Sequence, residues 1–348
     1  MAKPSLLSRL RVDPYIVLLV TMVVLASILP ARGEGAVVMG YVTDFAIALL
    51  FFLYGARLSR EAVVAGMTNW RLQIIVFLFT YAVFPLLGLG LSALARPWLG
   101  PAMAAGLVFL AVLPSTVQSS IAFTSIARGN VAAALCCASV SNLVGIVLTP
   151  LLVGLLMTTQ GVGFSTDSLR DIALQLFLPF FAGQVLRRWV NPIINRHKTL
   201  TGYVDRSSIL LVVYTAFSEG VVNGLWSQVD AQSLIALLVV NAVLLAIVLT
   251  ATTVLARRLG FSREDEIVIV FCGSKKSLAS GIPMAGILFA GQAIGLTVLP
   301  LMLFHQIQLM VCAWLAQRYG RQAAALEAAQ AVLAAAPPAA VAPATQRV

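Results

Sequence analysis

The chain alternates long apolar runs with short polar connections. Ten runs stand out, at roughly 14–30, 36–54, 72–94, 101–127, 130–157, 169–190, 207–224, 232–256, 264–290 and 293–317. Within each run the apolar residues are continuous, whereas a half-buried strand would alternate them with polar ones. Most runs reach the ~20 residues that a helix needs to cross a hydrocarbon core of about 30 Å. A segment in lipid must satisfy its own backbone polar groups, which leaves only helices and closed barrels, and continuous runs fit helices. The pattern predicts an all-α integral membrane protein with ten transmembrane helices.

Positive charge tests that count, because lysine and arginine concentrate in cytoplasmic connections. With the N terminus inside, the inside set is Lys3, Arg9, Arg11, Arg57, Arg60, Arg71, Arg128, Arg187, Arg188, Arg196, Lys198, Arg206, Arg257, Arg258, Arg263, Arg318, Arg321 and Arg347, eighteen of the 23. Arg32, Arg96 and Arg170 fall outside, and Lys275 and Lys276 lie within the ninth run. A miscounted helix would invert the alternation from that point on, and it never inverts. The expected placement is the inner membrane, with both termini cytoplasmic.

Composition narrows the class further. Apolar residues make up 60% of the chain and charged ones 10%, against about 25% charged in a soluble domain. The net charge of +10 then belongs to cytoplasmic loops, and no nucleic-acid partner is expected. The basic segment Met1–Arg11 precedes an apolar run, as in a signal peptide. That run reaches Pro30 without an A-x-A pattern, which favours a first transmembrane helix. Cys136, Cys137, Cys272 and Cys312 sit in apolar runs without metal-ligand or disulfide spacing, and read as small buried hydrophobes. No Ser/His/Asp constellation or metal-ligand cluster is legible, so neither an enzyme nor a cofactor is expected.

Ten spans divide into two fives, and an odd number per half sets the halves in opposite orientations, as in inverted-repeat transporters. A trace survives in sequence: Gly145-Ile-Val-Leu-Thr-Pro150-Leu-Leu in span five matches Gly295-Leu-Thr-Val-Leu-Pro300-Leu-Met in span ten. The expected organisation is a first repeat at 1–157, a second at 158–320, and an Ala/Pro-rich cytoplasmic tail at 321–348. The span-ten helix is expected to run on to about Ala336.

Polar chemistry enters two spans at corresponding places. Span four holds Leu113-Pro114-Ser115-Thr116-Val117-Gln118-Ser119-Ser120 and span nine holds Cys272-Gly273-Ser274-Lys275-Lys276-Ser277-Leu278-Ala279-Ser280-Gly281-Ile282-Pro283. Proline removes a helix hydrogen bond and clashes with the preceding turn. A charged residue at the bilayer centre costs about 2.5–3.5 kcal/mol or more, so paired lysines persist only beside partners or water. Paired broken helices point to a midplane site, where unwound carbonyls serve cations and half-helix N termini serve anions. The candidate binding residues here are Pro114, Thr116, Gln118, Ser119, Ser120, Cys272, Ser274, Lys275, Lys276 and Ser277. Asp44 lies in span two near the outer interface and Glu219 closes span seven near the outside. Each reads either as an interfacial residue or as a cavity partner for a lysine. Ser139 and Asn142 share one side of span five, as His305 and Gln308 do in span ten; such residues join helices or bind ligand.

These features resemble the bile acid:sodium symporter superfamily, and more closely its SBF-like branch. The resemblance rests on Phe51-Phe52-Leu53-Tyr54-Gly55 with Leu58-Ser59, the span-four run, Gly129-Asn130, and Phe271-Cys272-Gly273-Ser274-Lys275-Lys276-Ser277-Leu278 with Gly281-Ile282-Pro283-Met284, over residues 12 to 320. It implies a core domain (spans three to five and eight to ten) moving against a panel domain (spans one, two, six and seven), with broken helices four and nine crossing beside the substrate. Sodium-coupled members bind two ions behind that crossing. By position, Cys272 stands where the resemblance implies a glutamate ligand and Lys276 where it implies a glutamine. Thr80 replaces a span-three glutamine, Ala134 and Ala138 replace span-five hydroxyls, and Ser119 and Ser120 match span-four ligands. A glutamate removed and a lysine added change the site by two charge units. The expectation is therefore a secondary transporter of an organic anion, with an intramembrane lysine replacing sodium in part, either sodium-independent or proton-coupled. The alternatives are a membrane regulator of cation (calcium) homeostasis, as a yeast member of the branch is named, a sodium symporter with shifted ligands, or a channel.

Overall fold

The computed structural model describes residues 14–57, 69–157, 172–227, 229–289 and 294–335. Lys3, Arg9, Arg11, Leu58, Ser59, Arg60, Arg170 and Arg347 lie outside these, as does the link between the expected repeats. Among the described residues the chain is helical and forms no strand.

Six helical stretches are long and apolar enough to cross a membrane: Glu34–Arg57, Trp70–Val112, Val131–Met157, Ala231–Arg258, Arg263–Leu288 and Ile294–Glu327. Their outward surface carries Tyr41, Leu94, Leu86, Leu155 and Phe45, each more than two-thirds exposed. A soluble domain rarely shows apolar patches so large, whereas lipid takes such a surface without penalty. The molecule is an all-helical integral membrane protein.

The α-helices are α1 (Pro14–Ile28), α2 (Glu34–Arg57), α3 (Trp70–Leu78), α4 (Phe84–Val112), α5 (Gln118–Ile126), α6 (Val131–Met157), α7 (Leu178–Arg196), α8 (Lys198–Val222), α9 (Ala231–Arg258), α10 (Arg263–Gly273), α11 (Leu278–Leu288) and α12 (Ile294–Ala335). A π-helical turn, Phe79–Val83, joins α3 to α4. The third and fourth predicted spans are fused: α4 contains the end of one and the start of the other. Its corner is Gly100, at φ 71° and ψ 172°, a conformation that glycine adopts without a side-chain clash.

The helices pack in two groups. The first holds α1, α2, α7 and α8; the second holds α3 to α6 and α9 to α12, and α8 meets α11 and α12 across the seam. Within the first group, α2 and α7 touch backbone to backbone. A Cβ on Gly55 would lie 2.0 Å from the Phe180 carbonyl oxygen, and one on Gly183 would lie 2.0 Å from that of Phe52. Small residues let membrane helices approach in this way.

Polar ties close the end of the second group. Glu266, only 4% exposed, accepts hydrogen bonds from Arg257 Nη2 at 3.1 Å, Arg263 Nη1 at 2.8 Å and the Tyr319 hydroxyl at 3.1 Å. One carboxylate thereby joins α9, α10 and α12. At the other end of α9, Asp230 caps the helix by accepting from the Ser233 amide at 2.7 Å. Hydrogen bonds from Ser233 hold the Asp230 carboxyl below its ordinary range.

Candidate functional site

Both predicted breaks are present: α4 stops at Val112 and α5 starts at Gln118, while α10 stops at Gly273 and α11 starts at Leu278. The two breaks cross, with the Ser277 amide donating to the Pro114 carbonyl at 2.8 Å. Every helix end leaves carbonyls without a helical donor, and inside this apolar core each must find another partner.

The exposed end of α4 is satisfied residue by residue. Lys276 Nζ donates to Ala111 O at 2.7 Å and Leu113 O at 2.8 Å. Thr149 Oγ1 donates to Val112 O at 2.9 Å. Asn142 Nδ2 donates to Ser115 O at 2.6 Å, and the Ser115 amide donates to Ser141 Oγ at 3.0 Å. The end of α10 is closed from the other break: Ser115 Oγ donates to Cys272 O at 2.6 Å and Ser120 Oγ to Phe271 O at 3.0 Å.

A third acceptor of Lys276 Nζ is Thr80 O, at 2.7 Å. The π-turn sets it free. Phe84 N–H, the ordinary α-helical donor to Thr80, bonds to Phe79 O instead. The next residue, Pro85, has no N–H to give. The Thr80 carbonyl therefore turns into the core, where the ammonium meets it. The Lys276 main chain is fixed as well: its amide donates to Gln308 Oε1 and its carbonyl accepts from Gln308 Nε2, both at 2.9 Å. Gln308 Nε2 also lies 2.8 Å from His305 Nδ1.

Lys275 and Lys276 are fully buried, and so are Ser274 and Cys272. In an extended stretch consecutive side chains diverge, and the two lysines reach different helices. Lys276 turns toward α4, with its ammonium 4.2 Å from the Phe84 ring centre. Lys275 turns toward α5, 3.9 Å from the ring centre of Phe123, 5.4 Å from that of Phe271 and 3.4 Å from Ser119 Oγ. Among the described residues neither ammonium pairs with a carboxylate. The aspartate and glutamate considered as lysine partners lie elsewhere: Asp44 is exposed on α2 and Glu219 is half-buried near the end of α8.

The remaining candidates divide. Thr116 shares hydrogen bonds with Ser119 at 2.8 Å and Ser120 at 3.1 Å. Ser277 caps α11 by accepting from the Ser280 amide at 3.2 Å. Asn142 accepts from Ser280 Oγ at 2.8 Å. Ser274 bonds back to Val270 O at 2.5 Å, within its own helix. Cys272 points its thiol at Ala134 O, 3.7 Å away. Gln118 is exposed at the start of α5, and Ser139, half-buried on α6, lies outside the bonded cluster. Sequence reasoning missed Ser141, Thr149 and Ser280. It also missed that Thr80 contributes its carbonyl, while its hydroxyl bonds back to Val76 O at 2.8 Å. Pro85, five residues after Thr80, was the signal available for that.

Comparison with known proteins places this geometry. Residues 13–321 match the model of the SBF-like CPA transporter family. An uncharacterized protein of Pseudomonas aeruginosa is 59% identical over 311 residues, 89% of this chain and 93% of that one. A protein of Escherichia coli (strain K12) named as a proposed symporter, YfeH, is 54% identical over 319 residues, 91% of this chain and 96% of that one. The sodium/bile acid cotransporter 7 of Rattus norvegicus is 29% identical over 316 residues, 88% of this chain and 92% of that one. Family and named relatives are transporters rather than enzymes, and this chain is a membrane transporter of the SBF-like branch of the bile acid:sodium symporter superfamily.

Proposed function

We propose that this protein is a secondary active transporter of an organic anion whose cation site is filled by its own lysine, so that sodium is not its coupling ion. The observation that carries the reading is the coordination of Lys276 Nζ by three main-chain carbonyls at 2.7, 2.7 and 2.8 Å. An ammonium is a compact point charge with three donors, and here two of them meet oxygens at the C-terminal, negative end of α4 and the third the carbonyl freed by the π-turn. The residues present do not suit a sodium ion at that place. The oxygens are already bonded, a positive charge sits among them, and Cys272 brings a thiol where a carboxylate ligand would be needed.

The fold is read as ten spans in two inverted five-helix repeats, with α4–α5 and α10–α11 as the crossing broken helices. Both termini are placed in the cytoplasm and the molecule in the inner membrane, from the basic residues of alternate connections. The two packing groups supply a mobile pair: α1, α2, α7 and α8 form one face, and the crossing belongs to the other. A net positive crossing favours an anionic cargo, and transport is then either sodium-independent or coupled to protons.

A thermal-shift titration of the purified protein with sodium against potassium, at matched ionic strength, tests the reading. A ligand that binds only the folded state stabilises it by RT ln(1 + [L]/Kd), about 2.7 kcal/mol at a hundredfold excess. The expected result is the same melting curve in both salts. A sodium-specific rise would sink the proposal and make the protein a sodium symporter.

A further inference from the structure

The two adjacent lysines stand in different states of satisfaction. Lys276 spends all three N–H donors on carbonyls. Among the described residues Lys275, equally buried, has one hydrogen bond, to Ser119 Oγ at the long distance of 3.4 Å, and the ring faces of Phe123 and Phe271. Ring faces attract a cation, but they neither neutralise it nor accept its remaining protons as an oxyanion would. Among the described residues, the charged and titratable groups around Lys275 are the thiols of Cys272 on α10 and Cys312 on α12, with Lys276 directed away. Beyond the Phe271 ring, Tyr319 and Arg263 turn to Glu266. A cation buried without a counter-charge is a costly arrangement, and it is retained here beside a chain of hydroxyls. Ser119 contacts Thr116, and Thr116 contacts Ser120. The half-buried Ser119 and the exposed Gln118 continue from Lys275 to the surface.

Resting on the transport reading above, we propose that Lys275 is the docking residue for the cargo's anionic head, and that Thr116 and Ser119 complete an oxyanion site for a carboxylate, sulfonate or phosphate, with Ser120 kept on Phe271 O. Lys276 is then spent on structure and Lys275 on recognition. The oxyanion supplies the counter-charge that the protein withholds. The hydroxyls can turn to donate to it, and the Phe123 ring offers an apolar wall to the group that follows the head.

The chain has four lysines, Lys3, Lys198, Lys275 and Lys276, which gives a clean chemical test. The full-length protein in lipid nanodiscs is treated with pyridoxal 5′-phosphate, an organic oxyanion bearing an aldehyde. The lysine amine condenses with the aldehyde, water leaves, and cyanoborohydride delivers hydride to the imine to fix a secondary amine. Peptide mass spectrometry then reads each lysine. The expected result is labelling of Lys275 at least tenfold above Lys276, and at least tenfold less at Lys275 with pyridoxal, which lacks the phosphate. Pyridoxine 5′-phosphate, which has no aldehyde, should protect Lys275 and leave Lys198 unprotected. In thermal-shift assays K275R should keep the stabilisation by pyridoxine 5′-phosphate, and K275Q should melt like the wild type without ligand and lose that stabilisation. Equal labelling of the two buried lysines, labelling of Lys198 alone, or equal reaction with pyridoxal would each overturn the assignment. A sodium-specific thermal shift would refute the coupling reading and leave this result standing, so the two fail separately.

Discussion

Lys276 Nζ is buried against three main-chain carbonyls. Breaking a buried, hydrogen-bonded charge cluster is among the more damaging single changes, because the partners stay buried without a donor. Lys276→Met keeps the length of the side chain and removes the ammonium, leaving the Thr80, Ala111 and Leu113 carbonyls unpaired. We expect a loss of about 3 kcal/mol or more, read as a large fall in melting temperature and in folded yield from membranes. Lys275→Met removes one long hydrogen bond and two ring contacts together with the cost of burying a cation, and should melt no lower than the wild type. If the two variants melt alike, the division of labour between the lysines is wrong. That division was half legible in the sequence: the resemblance implied a ligand position for Lys276 and none for Lys275, but where each side chain turns depends on the direction of the backbone as it leaves α10.

At the scale of the element, the breaks were legible and their partners were not. Pro114 and the Gly273–Pro283 run announced interrupted helices, because proline and intramembrane charge have strong local costs. The π-turn at Phe79–Val83 carried only the weak mark of Pro85, since the donor that meets its free Thr80 carbonyl lies 196 residues away in sequence. Ser139 was read as facing the site with Asn142, yet Ser141 is the residue that meets the Ser115 amide. Helical spacing gives faces but not the rotation of a helix about its axis. The α2–α7 contact makes a separate prediction. Gly183→Ala places a Cβ 2.0 Å from the Phe52 carbonyl oxygen, and the helices must separate to admit it. Such overpacking costs typically about 1–3 kcal/mol, to be read as reduced thermal stability. Unchanged melting would mean that the two helices separate freely.

For the whole molecule, the division into two packing groups predicts which cross-links stop transport. In a background with Cys136, Cys137, Cys272 and Cys312 replaced, cysteines at Val212 and Gly286 would bridge the seam between α8 and α11, where a Cβ on Gly286 lies 3.5 Å from Val212 Cγ1. Oxidising that pair should abolish flux. A bridge between Thr43 and Thr215, whose hydroxyls are 2.8 Å apart within one group, should leave flux intact. Equal inhibition by both would show that the groups do not move as bodies. The reach of Lys276 also imposes an order of assembly. Its acceptors precede it by 163 to 196 residues, so when residues 1–157 have entered the bilayer, the Ala111 and Leu113 carbonyls at the broken end of α4 still lack the donor that closes them. The nascent first half waits in the membrane, incomplete, until the ribosome delivers the second. A gene split after residue 157 should therefore yield a first half that membrane proteases remove when it is made alone and that persists when the second half is made beside it. The ammonium is a keystone that arrives late, with translation itself setting the time at which the arch can close.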